Sequence, residues 1–291
     1  MQIPRSYIEN YSKSLNIVSE TAQKKLVDAL SKIDYTADVA DIRNAVIAVM
    51  QSACNASTSV SARLAAEFYD GLRERFGIDD DYEAEAESLR DPAATDGAVR
   101  AFAQDIVDEK PIESFIGSCA DRLDYETRRA ANECVAYNAK NDPKKPRWAR
   151  IPTGPETCQF CIMLASRGFT YQSEETASHA HANCDCRIVP SWDKAGAEGY
   201  NPALYYDMWK KPDDYPELQE VRNARRRELY TEKKAEQITE RQQLERDARA
   251  VVGNQAKALG ITEQEARRRF DALVNENTDA QLRRYIKKYR E

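Results

Sequence analysis

One stretch, from Glu156 to Pro190, constrains the fold of this chain more than any other. It contains four of the seven cysteines and both histidines of the 291-residue sequence. These residues follow the order C-x2-C-x19-H-x2-C-x-C, formed by Cys158, Cys161, His181, Cys184 and Cys186, with His179 two residues before His181. Thiolates and imidazoles are the ligands that Zn²⁺ prefers, and a C-x2-C turn followed by a second cluster is typical of a structural zinc site. The stretch therefore predicts one structural Zn²⁺ ion.

The pattern offers more ligands than the four positions of a tetrahedral site. We expect Cys158, Cys161 and Cys184 to bind the ion, with either Cys186 or His181 as the fourth ligand. In an extended segment Cys184 and Cys186 point the same way, whereas His181 would supply a nitrogen if only one of these sulfurs turns inward. Disulfide or redox use and a catalytic Cys/His arrangement are the alternatives, although nothing marks the chain as secreted.

The composition narrows the class of protein. Charged residues make up 32% of the chain and the mean hydropathy is −0.74. No apolar run approaches the roughly twenty residues of a membrane span, and the first residues lack the apolar core of a signal peptide. We therefore expect no membrane partner and a reducing cytoplasm during synthesis. A net charge of −6 argues against a general nucleic-acid coat and allows a local basic patch.

The predicted fold class is mostly α. Apolar residues recur at steps of three and four within residues 1–140, which predicts an N-terminal helical bundle. The stripes cover residues 15–33, 39–53 and 60–72, and we expect a separate helix for each.

A small α+β unit is predicted over residues 141–215. Prolines between positions 143 and 155 predict a linker with short extended pieces. A short helix over 158–167, ended by Gly168, and strands at 169–171 and 187–189 follow, and residues 191–215 are aromatic and loop-like. Because this unit has little apolar mass, we expect a zinc ion to stabilise it by roughly 10 kcal/mol.

Residues 216–291 are predicted to form a charged helical tail. Acidic and basic side chains are interleaved in it, and Thr262 with Glu265 forms a capping box that opens a helix. The last segment, 279–290, is basic. A basic helix end is either an ordinary solvated face or a contact for phosphates or an acidic neighbour.

The segment from Trp148 to Trp192 resembles the core motif of phage minor head proteins of the Mu F-like type. In that family a C-x2-C is followed by a short helix and a glycine, and the motif closes on H-P-N-C-R-C. Here the closing residues run from His181 to Cys186, with Ala182 where proline is usual and Asp185 where arginine is usual. Neither difference removes a type of ligand.

The resemblance implies a virion structural protein that acts in head assembly and DNA delivery. The implied partners are the portal protein, the inner surface of the major capsid protein and, through the C-terminal basic segment, packaged DNA. The implied location is the capsid interior near the portal, with the host cytoplasm during assembly. The alternative is an enzyme, either a capsid maturation protease or a zinc hydrolase, for which Glu174 and Glu175 are the nearest acids. No catalytic motif stands out, so we expect no enzymatic activity.

Overall fold

The structure, a computed structural model, describes residues 1–108, 110–154, 157–172, 184–193, 195–215 and 241–289. It confirms a mostly helical fold with a small two-stranded sheet next to a cysteine cluster. The helices are α1 (Arg5–Ser31), α2 (Val39–Arg75), α3 (Pro92–Phe102), α4 (Gln104–Val107), α5 (Ile112–Asn141), α6 (Gln159–Ala165), α7 (Pro202–Lys210), α8 (241–259), α9 (Glu263–Glu276) and α10 (Asp279–Tyr289). Strands β1 (Arg147–Pro152) and β2 (Cys186–Ser191) pair antiparallel, and a 3-10 turn covers Pro212–Asp214.

The helical body consists of α1, α2 and α5 packed against one another, with α3 and α4 at one side. The prediction of two helices over 39–53 and 60–72 is wrong, because α2 is continuous for 37 residues. No glycine or proline separates the two stripes, and Ala53 and Val60 are spaced so that both stripes lie on one helix face. The carboxylate of Asp38 caps the start of α2 by accepting a 2.8 Å hydrogen bond from the Ala40 N–H.

Strand β1 lies where the sequence predicts a proline-rich linker. Five of its six residues are buried, and Trp148 pairs with Pro190 while Pro152 pairs with Cys186. The predicted strand at 169–171 is instead represented by a single bridge between Trp148 and Tyr171. The described prolines of this linker lie before the strand or at its last residue, where a missing N–H costs little.

The sheet shares the core of the helical body. Trp148, Ile151 and Val189 are fully buried, and they belong to the same apolar cluster as Leu15 and Tyr69 from the helices. A second cluster in the body, built around Leu26, Leu30, Ile42, Met50 and Phe115, lies apart from the sheet. The described residues between 147 and 191 therefore have more apolar burial than the composition of this region predicts, because the helices supply one side of their core.

The aromatic segment after β2, predicted to be loop-like, contains a helix. Helix α7 begins after Asn201, whose side-chain oxygen accepts hydrogen bonds from the N–H groups of Ala203 and Leu204 at 3.1 and 3.4 Å. Pro202 occupies the first helical position, where its missing N–H is tolerated. The asparagine cap and the proline at N1 are the sequence signal of this helix start.

The C-terminal helices α8, α9 and α10 bury an apolar cluster of their own, which includes Val251, Phe270, Leu282 and Ile286. The predicted cap at Thr262 is confirmed, since its hydroxyl accepts a 3.3 Å hydrogen bond from the Glu265 N–H. The part of the charged tail between 216 and 240 lies outside the described residues. Among the helices that are described, none has the length and apolar character needed to cross a membrane.

Candidate metal centre

Three sulfur atoms meet beneath the two-stranded sheet. The Sγ of Cys161 lies 2.9 Å from the Sγ of Cys186 and 3.6 Å from that of Cys184, and the last two are 3.1 Å apart. All three side chains are buried. These separations exceed the roughly 2.05 Å of a disulfide bond, and all seven cysteines, each within the described part of the chain, are free thiols.

Cys158 lies against this trio at the start of α6. Its sulfur is the helix cap and accepts a hydrogen bond from the Cys161 N–H, with the donor and acceptor 3.3 Å apart. The C-x2-C spacing therefore places Cys158 before the helix and Cys161 in its first turn, with both sulfurs on the side of the cluster. Helix α6 then ends before Gly168, whose φ of 67° is a left-handed conformation that glycine adopts without strain.

The segment 184–186, which carries Cys184 and Cys186 and enters β2, is anchored to the end of β1. The N–H of Thr153 donates a 3.1 Å hydrogen bond to the carbonyl of Asp185. Gly154 passes so close to the Asp185 side chain that a Cβ at position 154 would lie 2.8 Å from the Cβ of Asp185. A glycine is therefore required at position 154, because any larger residue would displace segment 184–186.

A buried arginine completes the surroundings of the sulfurs. Arg150 projects from the middle of β1 and is fully buried. Its Nη2 donates to the sulfur of Cys186 at 2.8 Å and to that of Cys184 at 3.4 Å, and it lies 4.0 Å from that of Cys161. Sulfur accepts such hydrogen bonds best as a thiolate, so this contact favours the ionised form of the cluster.

Two further arginines bind the backbone of segment 184–186. Arg187, also buried, donates to the carbonyl oxygens of Cys184 and Cys186 at 3.0 and 3.1 Å. Arg128 of α5 donates to the Cys184 carbonyl at 3.1 Å, and both arginines donate to the side-chain oxygen of Asn16 in α1. These bonds join segment 184–186 directly to α1 and α5 of the body.

The environment separates the acidities of the three buried thiols. Hydrogen bonds from Cys161 and Cys186, together with the Arg150 charge, hold the pKa of Cys184 well below its usual range. Hydrogen bonds to Cys158, Cys184 and Cys186, and then burial, raise the pKa of Cys161. Burial also raises the pKa of Cys186, to about 12. Cys184, beside the guanidinium of Arg150, therefore has the most acidic of the three thiols.

The sulfur positions fit a metal ion that takes tetrahedral thiolate ligands. With Zn–S distances near 2.3 Å, the sulfurs of a tetrahedral site lie about 3.8 Å apart. Cys161 and Cys184 already have close to this separation, and the other two pairs need to spread by less than about 1 Å. The buried trio of Cys161, Cys184 and Cys186 can thus bind a metal ion.

The structure brings together part of the predicted ligand set. Cys158, Cys161, Cys184 and Cys186 all lie at the cluster, whereas His179, His181, Glu174 and Glu175 lie outside the described residues. Sequence reasoning did not identify Arg150 or Arg187 as part of the site. Arginines within the motif were visible, but only the paired strands show that they turn inward.

The fold and the site define a mostly helical protein with a buried cysteine cluster under a two-stranded sheet. The chain belongs to the VG15 protein family, whose model matches residues 2–212. That match includes the helical body and the cysteine site and ends before the C-terminal helices. The family carries a different description from the Mu F-like proteins, so the Mu F-like identity stays a prediction.

Two curated relatives are phage proteins. The chain is 31% identical to the Gene 15 protein of Mycobacterium phage D29, over 36% of this chain and 56% of the relative. It is 30% identical to the Gene 15 protein of Mycobacterium phage L5, over 31% of this chain and 45% of that relative. The chain thus spans about half the length of these relatives. No solved structure matches the chain.

Proposed function

We propose that this phage-family protein is a minor head protein whose cysteine cluster holds one structural Zn²⁺ ion. The ligands would be Cys158, Cys161, Cys184 and Cys186, since the structure groups Cys186 with the other sulfurs. The bound ion would cross-link the start of α6 to segment 184–186 at the start of β2. Arg150 would orient the sulfurs and Arg187 their backbone, and the core shared with the helical body would exclude water from the site.

The observation that carries the structural role is the burial of the sulfurs. Cys161, Cys184 and Cys186 are each exposed by 1% or less. A hydrolase or protease needs a coordination position that water and substrate can reach. The described part of this cluster supports a closed site that stabilises the fold, so we favour the structural role over the enzymatic alternative.

The role in the virion rests on the family and on the motif. Membership of a phage protein family supports a phage function, and the resemblance of residues 148–192 to Mu F-like proteins supports a minor head protein. We accordingly propose the portal and the inner surface of the major capsid protein as partners and the capsid interior as the location. The basic helix α10 is the proposed contact for packaged DNA, with Lys288 in its last turn.

Fractionation of phage particles tests this role. Gradient-purified heads from the phage that encodes the chain should contain the full-length protein in few copies relative to the major capsid protein, as measured by quantitative mass spectrometry. Brief protease treatment of intact heads should leave it undigested because it lies inside. Absence from purified heads, with the protein present in the lysate, would show that it has no structural place in the virion.

A further inference from the structure

Arg150 occupies a position that is costly for a cation. It is fully buried in the middle of β1, and burial by itself disfavours its charge. Its Nη2 nevertheless lies against sulfur, 2.8 Å from the Sγ of Cys186 and 3.4 Å from that of Cys184. A guanidinium stays protonated in proteins, so its burial here is favourable only when the sulfurs beside it carry negative charge.

The charge of the bound cluster supplies this counter-charge. A dication with four thiolate ligands carries two net negative charges, and such a group is itself costly to bury without cations nearby. The Arg150 guanidinium contacts three of the four sulfurs along one side of the cluster. Arg187 is a second buried cation, and it donates hydrogen bonds to the carbonyl oxygens of Cys184 and Cys186.

We propose that Arg150 is a positioning residue for the metal site, which acts as the buried counter-cation of a four-thiolate metal cluster. This inference rests on the proposed metal site and deepens it, since it specifies thiolate ligands and the residue that neutralises them. It also separates two effects of one side chain. Arg150 strengthens metal binding, whereas in the metal-free protein it is a buried cation without the two net negative charges of the metal-bound cluster.

Opposite effects on metal affinity and on metal-free stability provide the test. In the full-length protein, Arg150→Met removes the charge and keeps the volume of the side-chain stem. Zinc affinity, measured by competition with a chromogenic chelator of known affinity, should fall about 10- to 100-fold, as for other partners of metal ligands. The melting temperature of the metal-free variant should equal or exceed that of the metal-free wild type, because a buried charge has been replaced by an apolar group.

Two matched variants identify the charge as the cause. Arg150→Lys retains a cation and should recover most of the zinc affinity. Arg147→Met makes the same substitution at the exposed first residue of β1 and should bind zinc like the wild type. The absorption of the Co²⁺-loaded wild type should show intense sulfur-to-metal charge transfer, as expected for a thiolate-rich ligand set.

Equal zinc affinity of the wild type and Arg150→Met, within about threefold, would overturn this role while leaving the metal site intact. Equal destabilisation of the metal-free and zinc-loaded forms would overturn it as well, since a purely structural residue behaves that way. If Arg150→Met does not fold, Arg150→Gln and Arg150→Lys make the same comparison, and equal affinities of these two would contradict the proposal. A wild-type protein that binds neither Zn²⁺ nor Co²⁺ would instead overturn the metal site itself.

Discussion

The region 147–191 and the C-terminal helices α8 to α10 are joined to the helical body in different ways. The first region buries Trp148, Ile151 and Val189 in a core that it shares with the body. The C-terminal helices bury their own apolar cluster. They contact the body through ion pairs, in which Lys287 lies 2.8 Å from Asp34 and Arg283 contacts Glu113.

This difference shows how each region depends on its surroundings. Apolar burial and buried hydrogen bonds make the cysteine region part of one cooperative structure with α1, α2 and α5. Exposed ion pairs contribute little to stability and weaken as salt is added. The family match also ends at residue 212, between the two regions. We therefore expect changes at the cysteine site to affect the part of the body that shares its core, and changes in the C-terminal contacts to affect only docking.

The largest effect is expected from Cys161→Ser. This change removes a buried sulfur of the cluster, and the free energy of unfolding should fall by about 5 kcal/mol or more because the structural metal is lost. Cys119→Ser is the matched control, since Cys119 is equally buried but lies in the second core cluster. The control should cost only about 1–3 kcal/mol for the buried hydroxyl.

Urea unfolding with and without a zinc chelator measures both variants. The chelator should destabilise the wild type and Cys119→Ser but not Cys161→Ser. Hydrogen exchange should increase first in β1 and β2 and spare residues 39–50 of α2, which face the second cluster. A wild type that is indifferent to the chelator would contradict this expectation.

The next effect concerns the junction between α5 and β1. Asp142 is fully buried and accepts hydrogen bonds from the Tyr69 hydroxyl at 2.9 Å and the Trp192 indole at 3.2 Å, and it forms an ion pair with buried Arg73. Asp142→Ala leaves the arginine without this partner and should lower the free energy of unfolding by about 3–5 kcal/mol.

Asp28→Ala serves as the control for Asp142→Ala. Asp28 forms an exposed pair with Lys32 within α1, and its loss should change the free energy of unfolding by no more than about 0.5 kcal/mol. Thermal unfolding monitored by circular dichroism compares the two variants. Similar melting temperatures for both would mean that the junction does not hold the sheet to the body.

The smallest effect on stability, but a clear effect on shape, is expected at the C-terminal contacts. Lys287→Met combined with Arg283→Met removes the cations of these two ion pairs. The radius of gyration from X-ray scattering should increase at low salt, and the wild type should expand similarly when salt is raised to several hundred millimolar. Lys257→Met, on an exposed position of α8, is the control. It should change neither the radius of gyration at low salt nor its increase with salt. A radius that is independent of salt would mean that apolar contacts hold these helices.

The helical body and the grouping of the cysteines could be predicted because their signals are local. Apolar periodicity marks each helix face, and the spacing of Cys158 and Cys161 determines where two sulfurs lie around one turn. The division of α2 into two helices was wrong because the sequence between Ala53 and Val60 is rich in small polar residues that resemble a break. Those residues are compatible with a helix when tertiary contacts support it.

The features that could not be predicted depend on distant parts of the chain. Strand β1 lies among prolines, and only its pairing with β2 shows that Pro152 occupies the end of a strand. Burying the charges of Arg150 and Arg187 is costly by itself. It becomes favourable only next to the cysteine sulfurs and the carbonyl oxygens of segment 184–186. No pattern within one segment contains that information.

The most direct measurement is the metal content of the full-length protein purified without added metal. Elemental analysis should find one zinc ion per chain in the wild type and much less in Cys186→Ser, with Cys119→Ser unchanged. Release of the ion by a chelator should lower the melting temperature of the wild type. A protein that is fully folded, free of metal and unaffected by added zinc would contradict the account.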